Sequence, residues 1–441
     1  MGIENEYIAI LLLSGLALWG WWRVLRRRWR QLWQRTKAHL CRQWQPKSPE
    51  DCPYCRADIT LVRTPVNRDV VPWHQHKDPR GRKKQIDTQG FACPNPACGY
   101  HGLTNDHIHA LVGYGKVDAA KQIQRLRCQA CKTTFSSRRG TPLYYLKAPG
   151  QTVEMVLWFL AEGVDESVLV RFTGHCDATI ARWLERMGTH SAGWHNILFR
   201  GLTLTLIQMD ELYARVRGKV EARWLWLAID PVTKIIPALH LGGRKSTDAY
   251  ALVHELQERL DMECVPAFTT DGLRGYFYGI TAHFGTWWRP RRARKDHWQV
   301  DSRLLYGQLI KRRHSRKVKS TLMRMLWGKR SALTRLQRQH GFTHTIQTAI
   351  VERVNLTLRQ SIARLTRKTW SLAQSETHLL LHVEWFRLYY HLVRPHASLC
   401  EPVPGLQRRF RKRTPAMAMG LTDSVWDVGD ILRKPLIPAA A

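Results

Sequence analysis

Midway along the chain the apolar residues gather into strand-like runs. Leu202–Ala214 (LTLTLIQMDELYA), Arg223–Asp230 (RWLWLAID) and Lys234–Leu241 (KIIPALHL) are rich in leucine, β-branched and aromatic residues, and Asp230-Pro-Val-Thr supplies a turn between the last two. Ser246–Leu260 has helical spacing, and Val265–Thr270 is a short apolar strand that stops at Asp271-Gly272. A further helix carries Glu352 near its start, in ERVNLTLRQSIARLTRKT. Upstream, Thr152–Met187 reads as three short amphipathic helices, VEMVLWFLAEG, ESVLVRFT and ATIARWLERM, with Asp165 and Asp177 as N-caps and Gly174 at a turn. The pattern predicts an α/β (α+β) chain: helices first, then three antiparallel strands, a helix and a fourth strand. That is the opening of a ribonuclease H-like core.

Charge adds a partner to this picture. The 441 residues are enough for about three domains. Their 69 Lys+Arg against 35 Asp+Glu leave a net charge of +34. The excess lies in clusters at Arg23–Arg30, Lys77–Lys84, Arg289–Lys295, Lys311–Lys319 and Arg408–Arg413, with nineteen tryptophans interleaved. Basic clusters with aromatic faces suit the phosphates and bases of a nucleic acid. Lys311, Arg312 and Arg313, with Arg291 and Arg292, are candidate DNA contacts. They lie in an 80-residue stretch between Asp271 and Glu352. That stretch, about 286–345, is expected to be a mostly helical, DNA-contacting insertion.

Six of the ten cysteines come in close pairs, which favours a metal in a reducing compartment over a disulfide scaffold. Cys93, Cys98, Cys128 and Cys131 have the spacing of two zinc knuckles and are the first-choice ligands of a structural Zn²⁺. Cys52 and Cys55 either complete a second site with His74, His76 or another nearby donor, or supply one knuckle of the main site in place of another pair. Cys41, Cys176, Cys264 and Cys400 read as ordinary core residues. At the N-terminus, Tyr7–Trp22 is a run of sixteen uncharged, mostly apolar residues followed by RVLRRRWR. It reads equally as a single-pass membrane anchor with the rest of the chain in the cytoplasm, or as a helix lying on a surface. The acidic MGIENE ahead of it argues against a signal peptide.

Asp210, Asp271 and Glu352 are the candidate catalytic carboxylates and ligands for Mg²⁺ (or Mn²⁺). Hard divalent cations take oxygen ligands, and a pair of them serves in-line phosphodiester chemistry. Helical spacing places Asn355 and Arg359 on the face of Glu352, where Arg359 can fork a phosphate. Strand alternation sends Glu211 to the face opposite Asp210, and Asp230 reads as a turn residue. Taken singly, each carboxylate is more simply a turn or surface residue; order and context give them weight together.

These stretches resemble the bacterial insertion-sequence transposases of the insertion-sequence-one (IS-one) type. The resemblance runs from about Cys52 to the C-terminus, through CPNPACGYHG, RCQACKTTFSSRRGTPLYYLK, QMDELYARV, WLWLAIDPVTKIIPALHLGGR, FTTDGLRGYFYGITAHFG, VERVNLTLRQ, YYHLVRPHASL and RTPAMAMGLTDSVWDV. The apolar N-terminal segment departs from that family's pattern. The likeness implies a DDE transposase that binds terminal inverted repeats and cleaves and transfers DNA strands, with Asp210, Asp271 and Glu352 catalytic and Arg359 the basic residue after the glutamate. It implies double-stranded DNA and a dimer or higher oligomer as partners, in the cytoplasm with the nucleoid. The expected domains are 1–45 (apolar and basic), 46–147 (zinc-binding), 148–195 (a helix-turn-helix presenting Ala178, Thr179 and Arg182 to DNA), 200–395 (catalytic) and 396–441 (a basic tail). A catalytically silent DNA-binding regulator and a membrane-tethered DNA-binding protein are the alternatives.

Overall fold

A computed structural model of the chain describes residues 70–76, 86–118, 123–217, 221–289, 295–314, 317–342, 346–403 and 410–436. All of them belong to one compact unit, Ile59–Ala441. The unit opens with a three-stranded antiparallel sheet, β1 (Leu111–Asp118), β2 (Ile123–Cys128) and β3 (Thr134–Ser136). Three helices follow, α1 (Gly150–Ala161), α2 (Glu166–Thr173) and α3 (Asp177–Leu198). Asp165 caps α2 as its sequence predicts, accepting from Ser167 N–H at 2.9 Å, and Gly174 makes the turn at φ +70°. At α3 the cap position falls to Cys176 instead of Asp177, and this cysteine is exposed rather than a core residue. The helix runs 22 residues, beyond the expected end at Met187. Its Trp183, Leu184 and Met187 are buried, and a Cβ on Gly188 would meet the Leu381 carbonyl at 2.3 Å. Tertiary packing extends what local pattern leaves short.

The centre is a six-stranded mixed sheet. It is built from β4 (Leu206–Val216), β5 (Glu221–Ile229), β6 (Ala238–Gly242), β7 (Ala267–Thr270), β10 (Tyr306–His314) and β11 (Lys317–Trp327), in the order β11-β10-β7-β4-β5-β6. β4, β5 and β6 are antiparallel neighbours, β7 runs parallel to β4, β10 parallel to β7, and β11 returns antiparallel. Helix α4 (Ser246–Arg259) leads into β7, and α5 (Arg274–His283) leaves it. The third strand starts later than the apolar run. Lys234 adopts φ +65°, Asp230 accepts from Val232 and Thr233 N–H, and Pro237 has no N–H for the ladder, so pairing begins at Ala238.

Strand alternation divides β5 between two cores. Trp226 and Ala228 join Ile207, Met209, Leu252 and Tyr276 on one face. Leu225, Leu227 and Ile229 join Leu212, Val351, Val354 and Phe386 on the other. The first core also takes in Val156, Leu160, Trp183 and Met187 of α1 and α3, so the predicted helix-turn-helix segment shares its interior with the sheet. The stretch 396–441, expected as a basic tail, is partly core: Ala416, Val428, Ile431 and Leu432 lie in the same cluster, and Leu436 N–H reaches the Gly140 carbonyl at 2.8 Å.

The expected helical insertion is a correction. The described residues of 286–345 are mostly strand: the hairpin β8 (Gly285–Trp288) with β9 (His297–Val300), then β10 and β11, with one helix, α6 (Arg330–Gln339). Short apolar runs such as LLYGQLIK carry too few residues for periodicity to separate helix from strand. Pairing with β7 decides the matter here. The Glu352 helix, α7, spans Ala349–Ser361 and ends before the expected Thr369, because Ile362 turns extended (φ −127°, ψ 105°) and buries itself with Leu365. α8 (Glu376–Leu392) follows. Cys52, Cys55, Arg291, Arg292 and Tyr7–Trp22 lie outside the described residues. Among the described residues, no helix is long and apolar enough to cross a membrane.

Candidate active site

β7 stops at Thr270, opposite Met209 of β4 and Gln308 of β10, while both neighbours run on in the same direction. The missing continuation leaves a notch at the carboxyl end of β7, where open parallel sheets commonly bind ligands. Asp271 sits at its floor, its Oδ1 accepting from Leu273 N–H at 2.9 Å. Asp210 is the first residue of β4 beyond the shared ladder, and its Oδ2 accepts from Asn355 Nδ2 at 2.8 Å. The notch widens into a cavity of about 960 Å³ whose walls also include Glu211, Arg244, Lys311 and Glu352.

Glu211 departs from expectation. Its strand face is indeed the opposite one: Oε1 accepts from Arg244 Nη2 at 2.6 Å and Oε2 from the buried Tyr276 hydroxyl at 3.2 Å. Yet carboxylate oxygens of Asp210, Glu211 and Asp271 all lie within 4.8 Å of one another, an arrangement that can bind a metal ion. On the β7 side of β4 no strand pairs past Met209, although β5 continues along the other side to Val216, so side chains from both faces can lean into the notch. Glu352 faces the same cavity from the first turn of α7 but stands outside that group of three. It accepts from Thr348 Oγ1 at 2.8 Å and pairs with Lys311 Nζ.

Two residues that hold this geometry were only partly legible in the sequence. Gln208 Oε1 accepts from both Ile350 and Val351 N–H at 3.1 Å, tying the start of the Glu352 helix to the Asp210 strand. Asn355, foreseen on the face of Glu352, does the same one turn later through Asp210. Gln208 shares a strand face with Asp210 two residues on, which was the available signal. Arg359 lines the cavity as expected, but its Nη1 and Nη2 donate to the carbonyls of Leu365 (3.0 Å) and Tyr213 (3.3 Å) instead of projecting as a free fork.

Burial, then the charges of Glu211 and Asp271, push the Asp210 carboxyl up to about 7. Burial likewise raises Asp271 and Glu211. Crowded, half-desolvated carboxylates favour a proton until a cation replaces it. In the unfolded chain Asp210 titrates near its ordinary value, so its stabilising contribution is complete below about pH 4 and is lost as pH rises through about 7. In chelator, the melting temperature of wild type relative to Asp210→Asn is therefore expected to fall by a few degrees between pH 5.5 and 8, a difference in which the opposing contribution of the buried histidines His190 and His382 cancels. Mg²⁺ should raise the melting temperature more at pH 8 than at pH 6. Equal Mg²⁺ effects at both pH values would count against cation binding at this cluster.

The second centre is made of sulfur. Cys93 and Cys98 flank a turn, Cys128 closes β2, and Cys131 lies in the β2–β3 turn, where Lys132 takes φ +65°. Sγ–Sγ separations are 3.5 Å for Cys93–Cys131 and 3.8 Å for Cys98–Cys128, and all four sulfurs lie within 4.8 Å of one another. This buried four-thiolate group can hold a structural zinc, with the ligands the knuckle spacing predicts. A hydrogen bond from Cys93 lowers the Cys128 thiol to about 5, and the same bond with burial raises Cys93. One sulfur of the pair thus keeps the proton that a cation would displace. Among the expected DNA contacts, Arg182 is exposed on α3, Thr179 is half-buried with its hydroxyl 3.2 Å from Cys176 Sγ, and Arg312 is exposed on β10. Lys311 is committed to Glu352; Arg313 lies on β10, its side chain outside the described set. No protein-family model matches the chain, and no curated protein matches it.

Proposed function

We propose that this chain is a DNA transposase of the DDE type, cutting the ends of a mobile element and joining them to target DNA. The observation that carries the reading is the notch: two aspartates from distant parts of the chain meet at the end of β7, and a glutamate-bearing helix is tied to one of their strands by Gln208 and Asn355. The strand order, three antiparallel strands followed by two parallel ones, supports a ribonuclease H-like core. The resemblance to insertion-sequence transposases of the IS-one type supports the same assignment.

Asp210 and Asp271 are the principal metal ligands in this reading, with Glu352 completing the set and Glu211 within reach. Divalent cations bound there supply charge neutralisation and activation of the attacking oxygen. In cleavage, a water oxygen bonds to phosphorus as the bond to O3′ breaks, leaving a 3′-hydroxyl and a 5′-phosphate. In transfer, that 3′-hydroxyl attacks a target phosphate and displaces its O3′. The cysteine module and α1–α3, with Arg182 outward, recognise the terminal inverted repeats, and the net charge of +34 over the whole chain supports duplex binding. Two ends processed together call for a dimer or higher assembly.

The test is strand cleavage and transfer on a labelled duplex carrying the repeats that flank the gene. Wild type and Glu352→Gln are compared in Mg²⁺ and in EDTA. Metal-dependent nicking that falls about 10²-fold or more in the variant is the expected result. Salt-sensitive binding without any nicking would instead make the chain a DNA-binding regulator.

A further inference from the structure

We propose that Arg244 is a catalytic residue that grips a non-bridging oxygen of the scissile phosphate, held in place by Glu211; the inference rests on the transposase reading above. Arg244 stands on the short loop between β6 and α4. Its Nε and Nη2 both donate to Glu211 Oε1, at 3.1 and 2.6 Å, and no bond from its Nη1 is found among the described residues. The side chain lines the cavity and is 51% exposed, while its partner Glu211 is only 4% exposed. A buried carboxylate therefore anchors one edge of the guanidinium and leaves the other facing solvent beside Asp271. The Trp224 ring, 5.8 Å from Cζ, braces the cation from the side.

The loop itself is held on both sides of the arginine. Asp248 accepts from Gly243 N–H at 3.0 Å and from Lys245 N–H at 2.8 Å, and its Oδ1 lies 3.1 Å from His240 Nε2. A Cβ on Gly242 would come 2.2 Å from Asp248 Oδ1, so this close approach requires glycine. The other cations on the cavity are differently placed. Lys311 is paired with Glu352, Arg359 donates to two backbone carbonyls, and Arg367 is exposed with no carboxylate partner found among the described residues. Arg244 alone of these four combines a carboxylate anchor inside the metal-binding group with a donor left over for the cavity. A fixed planar cation beside the ligands is what a phosphate gathering charge in the transition state needs.

The experiment compares wild type, Arg244→Ala and Arg244→Lys on the repeat duplex in Mg²⁺. It then measures binding in Ca²⁺ of two duplexes, one normal and one with a neutral methylphosphonate at the scissile position. Arg244→Ala is expected to cleave about 10²–10³-fold more slowly, the usual cost of removing one transition-state donor. Wild type should bind the normal duplex several-fold more tightly than the methylphosphonate one, and Arg244→Ala should bind both alike. The lysine variant, which keeps the charge but loses the fork, should fall between them on both readouts. Unchanged zinc content and melting temperature exclude a folding defect. Near-wild-type cleavage by Arg244→Ala, or an undiminished preference for the charged phosphate, overturns the assignment and leaves the transposase reading intact. A wild-type protein that neither nicks nor joins DNA in Mg²⁺ overturns both.

Discussion

Asp271→Ala is expected to abolish strand cleavage, lowering it by about 10³-fold or more, equivalent to ~4 kcal/mol of transition-state stabilisation. The aspartate closes the floor of the notch, within 4.8 Å of the Asp210 and Glu211 carboxylates, so its removal takes one of three clustered ligands from the metal-binding group. The fold should survive. The substitution removes one hydrogen bond, to Leu273 N–H, worth about 1 kcal/mol, and also removes a carboxyl whose burial disfavours its charged form. Above neutral pH the two effects oppose each other, so the melting temperature at pH 8 should change little. Binding of the duplex ends, carried by other surfaces, should be retained within a few-fold. Asp210→Ala should behave alike. Robust cleavage by either variant would remove the carboxylate cluster from the chemistry altogether.

Loss of the four-thiolate site is the second large effect expected. The module around it has a small interior, with Leu103, Leu111, Leu126 and Phe135 clustered about the cysteines. A segment of that size rarely holds its fold by burial alone, and structural zinc contributes about 10–16 kcal/mol in comparable peptides. The purified chain should carry zinc. Cys98→Ser, or stripping with a strong chelator, should release it and open the segment around β1–β3 to protease. The central sheet draws on separate cores and should remain protected. Specific binding of the repeats should drop by more than tenfold, while weak, salt-sensitive binding persists through the remaining basic surface. Elemental analysis, limited proteolysis and a binding titration read this together. A zinc-free protein with full protection and full affinity would show that the cysteines are merely packed.

Both predictions concern features whose residues were readable before any fold was known, and there is a reason for that. The cysteine ligands lie in tight local turns, so their spacing carries the geometry directly. Asp210 and Asp271 each sit at the end of an apolar run, and Glu352 in a helical pattern, so their elements could be assigned from neighbours alone. Asp165 and Gly174 likewise act through backbone contacts within a few residues. Elsewhere the local pattern misleads: the basic and apolar residues between Tyr306 and Trp327 were expected as helix and form two strands.

What the sequence determined by itself is therefore local: the order of strands and helices from β4 to β7, the four cysteines, and the positions of the carboxylates. Only the tertiary structure decided that β7 ends at Thr270 while β4 and β10 continue beyond it. That difference in length makes the notch, brings Glu211 beside Asp210 in spite of strand alternation, and lets Gln208 and Asn355 lock α7 in place. It also sets Arg244 on Glu211 and turns Arg359 toward backbone carbonyls. Periodicity records which face of an element is buried. It carries no information on which distant strand lies alongside or where that strand stops, because parallel pairing joins residues far apart in the chain.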